Sequence, residues 1–258
     1  MGYETIRFAI EGGVATITLD RPEVRNGLNA AMRREILAAT GEAAARARVL
    51  VLTGAGRGFC SGQDLDPAQI NDDLDLEATL RDEYEPMLRA IYDCPVPTIA
   101  AVNGAAAGAG ASLALACDVV IAARSAVFIQ AFARIGLIPD AGATYWLPRQ
   151  MGFARAMGAA LFAEPVTADD AAAWGMIWQA VPDEDFAAAV AARAAQLARG
   201  PATAYRLVKQ ALRQSLANDL PAQLDLEAAL QGEAGRTRDF REGVAAFLEK
   251  RPARYEGR

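Results

Sequence analysis

The sequence contains no histidine. That absence removes serine–histidine–aspartate and cysteine–histidine nucleophile systems, imidazole metal ligands and the commonest general base near neutral pH. Cysteine is scarce: Cys60, Cys94 and Cys117 are the only three, an odd number at wide spacing. Such a set suits neither a disulfide framework nor a zinc site, and it fits a reducing cytoplasm. The opening MGYETIRFAIEGG lacks a basic stretch followed by an apolar one, so no secretory signal is expected. No charge-free apolar run reaches the roughly 18 residues a membrane span needs. The nearest, TIAAVNGAAAGAGASLALA at 98–116, is broken by Asn103 and its glycines. A soluble chain with no membrane partner is expected. A basic block is missing too. Lys and Arg total 26 against 32 Asp and Glu, a formal charge of −6. Nucleic acid is therefore not expected as the main partner, although a local patch could still hold an anionic small molecule.

What is present is apolar and ordered, 53% hydrophobic over 258 residues. A chain of that size buries roughly 70–75% of its unfolded surface. TIRFAI and VATITL alternate around Glu11-Gly12-Gly13, which predicts a hairpin. RVLVLTG at 48–54 and TIAAV at 98–102 read as buried strands. DVVIAA, AVFIQ and IWQAV read as further strands. Helices are expected at 30–46, 77–93, 109–117, 143–150, 152–162 and 168–174. The acidic stretch 66–76 reads as a surface segment. From 186 onward the chain is helical, broken at Gly200-Pro201, Asp219-Leu220-Pro221 and Gly235. Strands alternating with helices indicate an α/β core over 1–199, with a helical appendage over 200–258.

Three junctions could carry chemistry. Gly58 to Leu65 and Asn103 to Gly110 are Gly-rich loops following buried strands, at the edge where α/β sheets present ligands. Glycine there lets main chain approach a ligand, and two converging N–H groups would form an oxyanion hole. The plain alternative is that both are ordinary turns. GAAAGAGAS is no phosphate-binding loop, because no Lys follows. At the third junction, Asp140 sits in an apolar neighbourhood after Pro139. Apolar walls raise a carboxyl's pKa and make it a usable general base, and the alternative is a turn or cap aspartate. Cys60 and Cys117 read as buried, inert thiols. Trp174 and Trp178 read as packing, and Lys250-Arg251 as a solvated basic pair or a phosphate contact.

Taken in order, these loops resemble the enoyl-CoA hydratase/isomerase (crotonase) superfamily over essentially the whole chain. The resemblance is carried by Asp20-Arg21-Pro22-Glu23, LTGAGRGFCSGQDL, PTIAAVNGAAAGAG and REGVAAFLEKRPARYEG. Within it, AFARIGLIPDAGATYWLPRQMG, WGMIWQAV and LDLEAALQGEAGRTRDFREGV look most like the ring-1,2-epoxyphenylacetyl-CoA isomerases of phenylacetate breakdown. The resemblance implies a spiral of ββα turns with a C-terminal helical trimerisation region, assembled as a homotrimer or homohexamer. It implies an acyl-CoA thioester substrate, with coenzyme A entering only as part of that substrate and no metal or redox cofactor. The oxyanion hole would fall on the main-chain N–H groups of Gln63 and Ala109. Substrate contacts would come from Arg25 and its neighbours, from Ser61, Gly62, Asp64 and Leu65, and from Gly108 and Gly110. Phe247 and Lys250 of a neighbouring copy would add to them. Phe132, with Tyr145 or Trp146, would shape an aromatic pocket.

The departures matter. The two glutamates of the hydratases match Ser112 and Phe132 here, so both carboxylates are missing. Asp140 stands where the isomerases carry their aspartate, and one base suffices to move a proton. An isomerase is expected, acting on the ring epoxide and shifting 3,4 double bonds to 2,3. The alternatives are an enoyl-CoA hydratase or simple 3,2-isomerase, and a non-catalytic acyl-CoA-binding protein.

Overall fold

The computed structural model describes residues 2–65 and 75–257. Most of the expected acidic surface segment, 66–74, lies outside the described residues. The chain begins with β1 (Ile6–Glu11) and β2 (Val14–Leu19). Glu11 pairs with Val14, leaving the two-residue turn Gly12-Gly13, and both glycines have positive φ. That conformation matches the twist of a tight hairpin. α1 (Ala30–Arg46) starts at Asn29, whose side chain accepts from the Met32 amide. Met32, Ile36, Ala39 and Ala43, spaced on one face, are fully buried.

The body then repeats one unit. β3 (Val49–Gly54) leads to the short β4 (Gly58–Cys60), then to α2 (Leu76–Thr79), a π-turn (Leu80–Tyr84) and α3 (Glu85–Tyr92). β5 (Thr98–Val102) leads to β6 (Ala105–Ala107) and α4 (Ala109–Leu115). β7 (Val119–Ala123) leads to β8 (Val127–Ile129), a 3-10 turn (Ala131–Ile135) and α5 (Ala143–Met151). α6 (Phe153–Phe162), β9 (Val166–Thr167), α7 (Ala168–Ala173) and β10 (Gln179–Val181) complete the core. The first strands of each turn stack as the sheet β1-β2-β3-β5-β7-β10, parallel from β2 onward. The second strands stack as β4-β6-β8-β9. This is a spiral of ββα turns. β4, β6 and β9 replace what the sequence suggests is loop or turn, because runs of two or three residues carry no readable period.

Alternation splits β3 between two cores. Leu50 and Leu52 join the main core with α1, and Val49 and Val51 join a second core closed by α8 (Phe186–Ala198). α9 (Ala202–Gln214), α10 (Leu220–Gly235) and α11 (Arg238–Glu249) form the tail. α9 docks by Lys209, which donates to the carbonyls of Cys94 and Val96 and pairs with Asp118. The tail leaves Val208, Leu212, Leu220, Phe240, Phe247 and Leu248 exposed. No helix among the described residues is long and apolar enough to cross a membrane.

Candidate active site

The ends of β4 and β6, the π-turn and the Asp140 loop converge on a cavity of about 240 Å³. Its lining includes Gln63, Tyr84, Ala109, Phe132 and Asp140. Gly62 and Gly108 precede the two expected donors, and both have positive φ. A Cβ on Gly62 would lie 2.8 Å from the Ala107 carbonyl oxygen and 3.3 Å from the Ala109 nitrogen. Only glycine lets the loops approach this closely, and the approach makes the Gln63 and Ala109 amides neighbours. The Gly62 carbonyl accepts from the Leu28 amide at 2.8 Å. In a trans peptide the next N–H points the opposite way, so that of Gln63 faces away from Leu28. Among the described residues neither amide donates to a main-chain carbonyl.

Asp140 lines the same cavity. Its Oδ1 is buried without a hydrogen-bond partner, and burial pushes its pKa up from 3.8 to about 6. Its main chain is held firmly. The Asp140 carbonyl accepts from the Ser112 hydroxyl at 3.0 Å and from the Ala143 amide at 2.9 Å. Ser112, where the hydratase resemblance predicts a carboxylate, is fully buried and serves that bond. Phe132 is also buried and packs beside Gly108. A second cavity of about 600 Å³ adjoins the first, sharing Leu80, Tyr84 and Asp140 in its lining. Tyr84, Tyr92, Tyr145 and Trp146 line it beside Arg81, Glu85 and Arg89; Tyr92 and Trp146 lie 5.2 Å apart, and Tyr145 and Trp146 stand edge to face at 4.7 Å.

The structure thus brings together Gln63, Gly62, Ser61, Leu65, Gly108, Ala109, Phe132 and Asp140. Tyr145 and Trp146 line the second cavity instead. The remaining expected contacts do not line this cavity. Gly110 is buried under β4, where a Cβ would fall 2.4 Å from the Cys60 carbonyl oxygen, so it serves packing. Asp64 is paired to Arg21 at 2.7 Å. Arg25 occupies an exposed left-handed turn, and its carbonyl accepts from the Ser61 amide. Phe247 and Lys250, expected from a neighbouring copy, lie outside both cavities of this chain, as residues offered to another copy would. Arg251 is engaged by Glu242 and Glu249 rather than free. Trp174 is half-buried under Arg155, whereas Trp178 is 66% exposed and does not pack in this chain. Cys60 and Cys117 are buried, with burial pushing both thiols up to about 12, as inert thiols should be.

Sequence reading missed Tyr84, Arg33 and Glu83. Their only signal was a charged and an aromatic residue on otherwise ordinary helices. Two main-chain amides without a main-chain acceptor and a carboxyl oxygen without a donor thus line one largely apolar cavity, a set that can stabilise an enolate and move a proton beside it.

Comparison with known proteins agrees with that chemistry. A model of the enoyl-CoA hydratase/isomerase family matches residues 9–258. A protein of Rhodobacter capsulatus described as "probable enoyl-CoA hydratase" is 64% identical over 258 residues, covering 100% of both chains. The 1,2-epoxyphenylacetyl-CoA isomerase of Escherichia coli is 46% identical over 260 residues, with 99% of each chain covered. The crystal structure of an enoyl-CoA hydratase from Polaromonas sp. JS666 superposes with a TM-score of 0.92 at 32% identity, over 97% of this chain and 99% of that one. The chain belongs to the enoyl-CoA hydratase/isomerase family, whose members act on CoA thioesters.

Proposed function

We propose that this enzyme is an acyl-CoA isomerase that uses Asp140 as its proton-transferring base. Its substrate is ring-1,2-epoxyphenylacetyl-CoA, converted to the oxepin thioester, and it also shifts 3,4-enoyl thioesters to 2,3. The observation that carries this reading is the Asp140 carboxyl, unpaired at Oδ1 and held near pKa 6 on the cavity wall. A carboxyl so placed is ionised at neutral pH and can hold and return a proton.

The thioester oxygen sits between the N–H groups of Gln63 and Ala109. Asp140 takes a proton from the α carbon, and the electron pair flows onto that oxygen. Removing one such donor costs about 10²–10³ in rate. In a 3,4-enoyl substrate Asp140 returns the proton to the γ carbon, leaving the double bond at 2,3. In the epoxide, the carbon–carbon bond shared by the two rings opens to the seven-membered ring. Asp140 carries the α proton to the ring end of the conjugated enolate. No atom is gained or lost in either case. The aromatic second cavity, beside Asp140, supports an aryl acyl group. Hydration needs a base for water as well as an acid for the α carbon, and Ser112 and Phe132 supply neither. The 46% identity to the Escherichia coli isomerase supports a role in phenylacetate breakdown.

The free thiols Cys60, Cys94 and Cys117 support a cytoplasmic setting. The exposed apolar residues of α9–α11 support a homotrimer or homohexamer, which sedimentation would measure. The functional test is product identification. Purified protein is given the ring epoxide, a 3-enoyl-CoA and a 2-enoyl-CoA in turn. Oxepin thioester from the first and 2-enoyl from the second support the proposal. A 3-hydroxyacyl thioester from the third, with the first untouched, makes the protein a hydratase. Binding of all three without conversion makes it an acyl-CoA-binding protein.

A further inference from the structure

Gln63 carries two amides. Its main-chain N–H is the proposed oxyanion donor, and its side-chain amide is bound from below. Gln63 Oε1 accepts from Arg33 Nη1 at 2.7 Å and from the Tyr84 hydroxyl at 2.5 Å. Arg33 is only 4% exposed, and every arm of its guanidinium is used. Nε and Nη2 donate to Glu83 Oε2 at 2.9 and 2.6 Å, and Nη1 donates also to the Leu28 carbonyl at 2.8 Å. That same carbonyl accepts from the Asp64 amide at 3.1 Å. The guanidinium lies over the Tyr84 ring, 4.7 Å from its centre.

We infer that Arg33 and Tyr84 are positioning residues, which fix the oxyanion-binding amide of Gln63 by clamping its side chain. The inference rests on the proposed role of that amide. The geometric reason is that Gly62, at φ +90°, gives the residue after it, Gln63, unusual freedom. The Leu28–Gly62 bond sets which way the Gln63 N–H points, and the Asp64–Leu28 bond holds the peptide that follows. Both bonds run to Leu28, and the side-chain clamp supplies a third anchor, on Gln63 itself. Hydrogen bonds from a charged donor are the strong kind. A buried arginine is also a costly anchor unless it is paired and hydrogen-bonded, and here Glu83 pairs it and each of its three nitrogens donates. Arg33 lines neither cavity, so it acts on substrate only through Gln63. Glu83 and Tyr84 close the π-turn, whose Leu80 and Tyr84 do line the cavity. Such turns recur where a helix is shaped for a site rather than for its own stability.

The test uses Gln63→Leu, Tyr84→Phe and Arg33→Gln in the full-length protein. Steady-state kinetics with a 3-enoyl-CoA are paired with the infrared stretch of a ¹³C-labelled thioester carbonyl in a bound, saturated acyl-CoA. A displaced donor costs less than a deleted one, so kcat should fall about 10-fold in Tyr84→Phe and up to about 100-fold in the other two. KM should stay within about threefold, and the bound carbonyl stretch should move back toward its free value. A role confined to stability would lower the melting temperature while leaving both kcat and the stretch of the folded protein unchanged. That result would overturn the inference. If Arg33→Gln does not fold, Gln63→Leu and Tyr84→Phe decide, since each removes one side of the clamp without stranding a buried charge. A wild-type carbonyl stretch that does not shift on binding would instead remove the oxyanion role of Gln63, and the inference with it.

Discussion

Asp118 and Asp140 are two aspartates placed at bends of the same spiral, and their surroundings differ in one respect. The Asp118 side chain, 16% exposed, is saturated with partners. Lys209 and Arg213 reach it at 2.7 and 2.6 Å, and the Thr98 amide and hydroxyl donate at 2.8 and 3.0 Å. Asp140 is given no such company, and one of its oxygens is buried with no donor. Full satisfaction turns a carboxylate into a rivet, here joining α9 to the start of β5. Withheld satisfaction leaves a carboxylate whose proton is available. On the proposed role of Asp140, the orphaned buried oxygen is tolerated because filling it would remove the reactivity.

The comparison can be broken by substitution. Asp140→Asn should lower isomerase turnover about 10³–10⁴-fold, the upper range for a positioned proton-transfer group. It should also stabilise the fold. Burial holds Asp140 near 6 against an ordinary 3.8. The folded chain therefore carries no penalty below pH 3.8, a growing one between 3.8 and 6, and the full one above 6. Discounted for the solvent that still reaches Asp140, the gain at neutral pH is about 1–2 kcal/mol, read by urea melts. Asp118→Asn should do the reverse. It leaves two cations against a neutral amide and costs about 2 kcal/mol, less than in a dry interior, while turnover of the folded protein stays within about twofold.

Acid sharpens the same contrast. The kcat/KM of the wild type should fall about tenfold per pH unit below pH 6, as free Asp140 takes up its proton. A profile flat down to pH 4.5 would mean that the base is another group. The smallest expected effect is that of Ser112→Ala, which removes one bond to the Asp140 carbonyl. It should cost about 1 kcal/mol of stability and a few-fold in kcat.

The sequence makes much of this site readable. The alternation in β1 and β2 is visible as periodicity, β3 as an apolar run, and the Gly-rich junctions and Asp140 stand out by composition. The short strands β4, β6 and β9 do not, since two or three residues show no period. Their place in the second sheet comes from the spiral and not from local preference. Arg33, Glu83 and Tyr84 escape reading for a related reason. Arg33 lies 30 residues from Gln63 and 50 from Glu83, so only the packing of α1 against the π-turn joins them. The pairing of Asp64 is equally invisible, because its partner Arg21 stands 43 residues away. Ser112 shows the converse. A residue that marks a missing acid by resemblance turns out to hold the main chain of the acid that remains.

The most direct measurement is proton exchange in D₂O with a 3-enoyl-CoA, comparing wild type with Asp140→Asn. Deuterium entering the α and γ carbons with the wild type, and lost with the variant while acyl-CoA still binds, is the result expected of a lone base at Asp140. Equal exchange in both proteins would contradict it and assign the proton to another group.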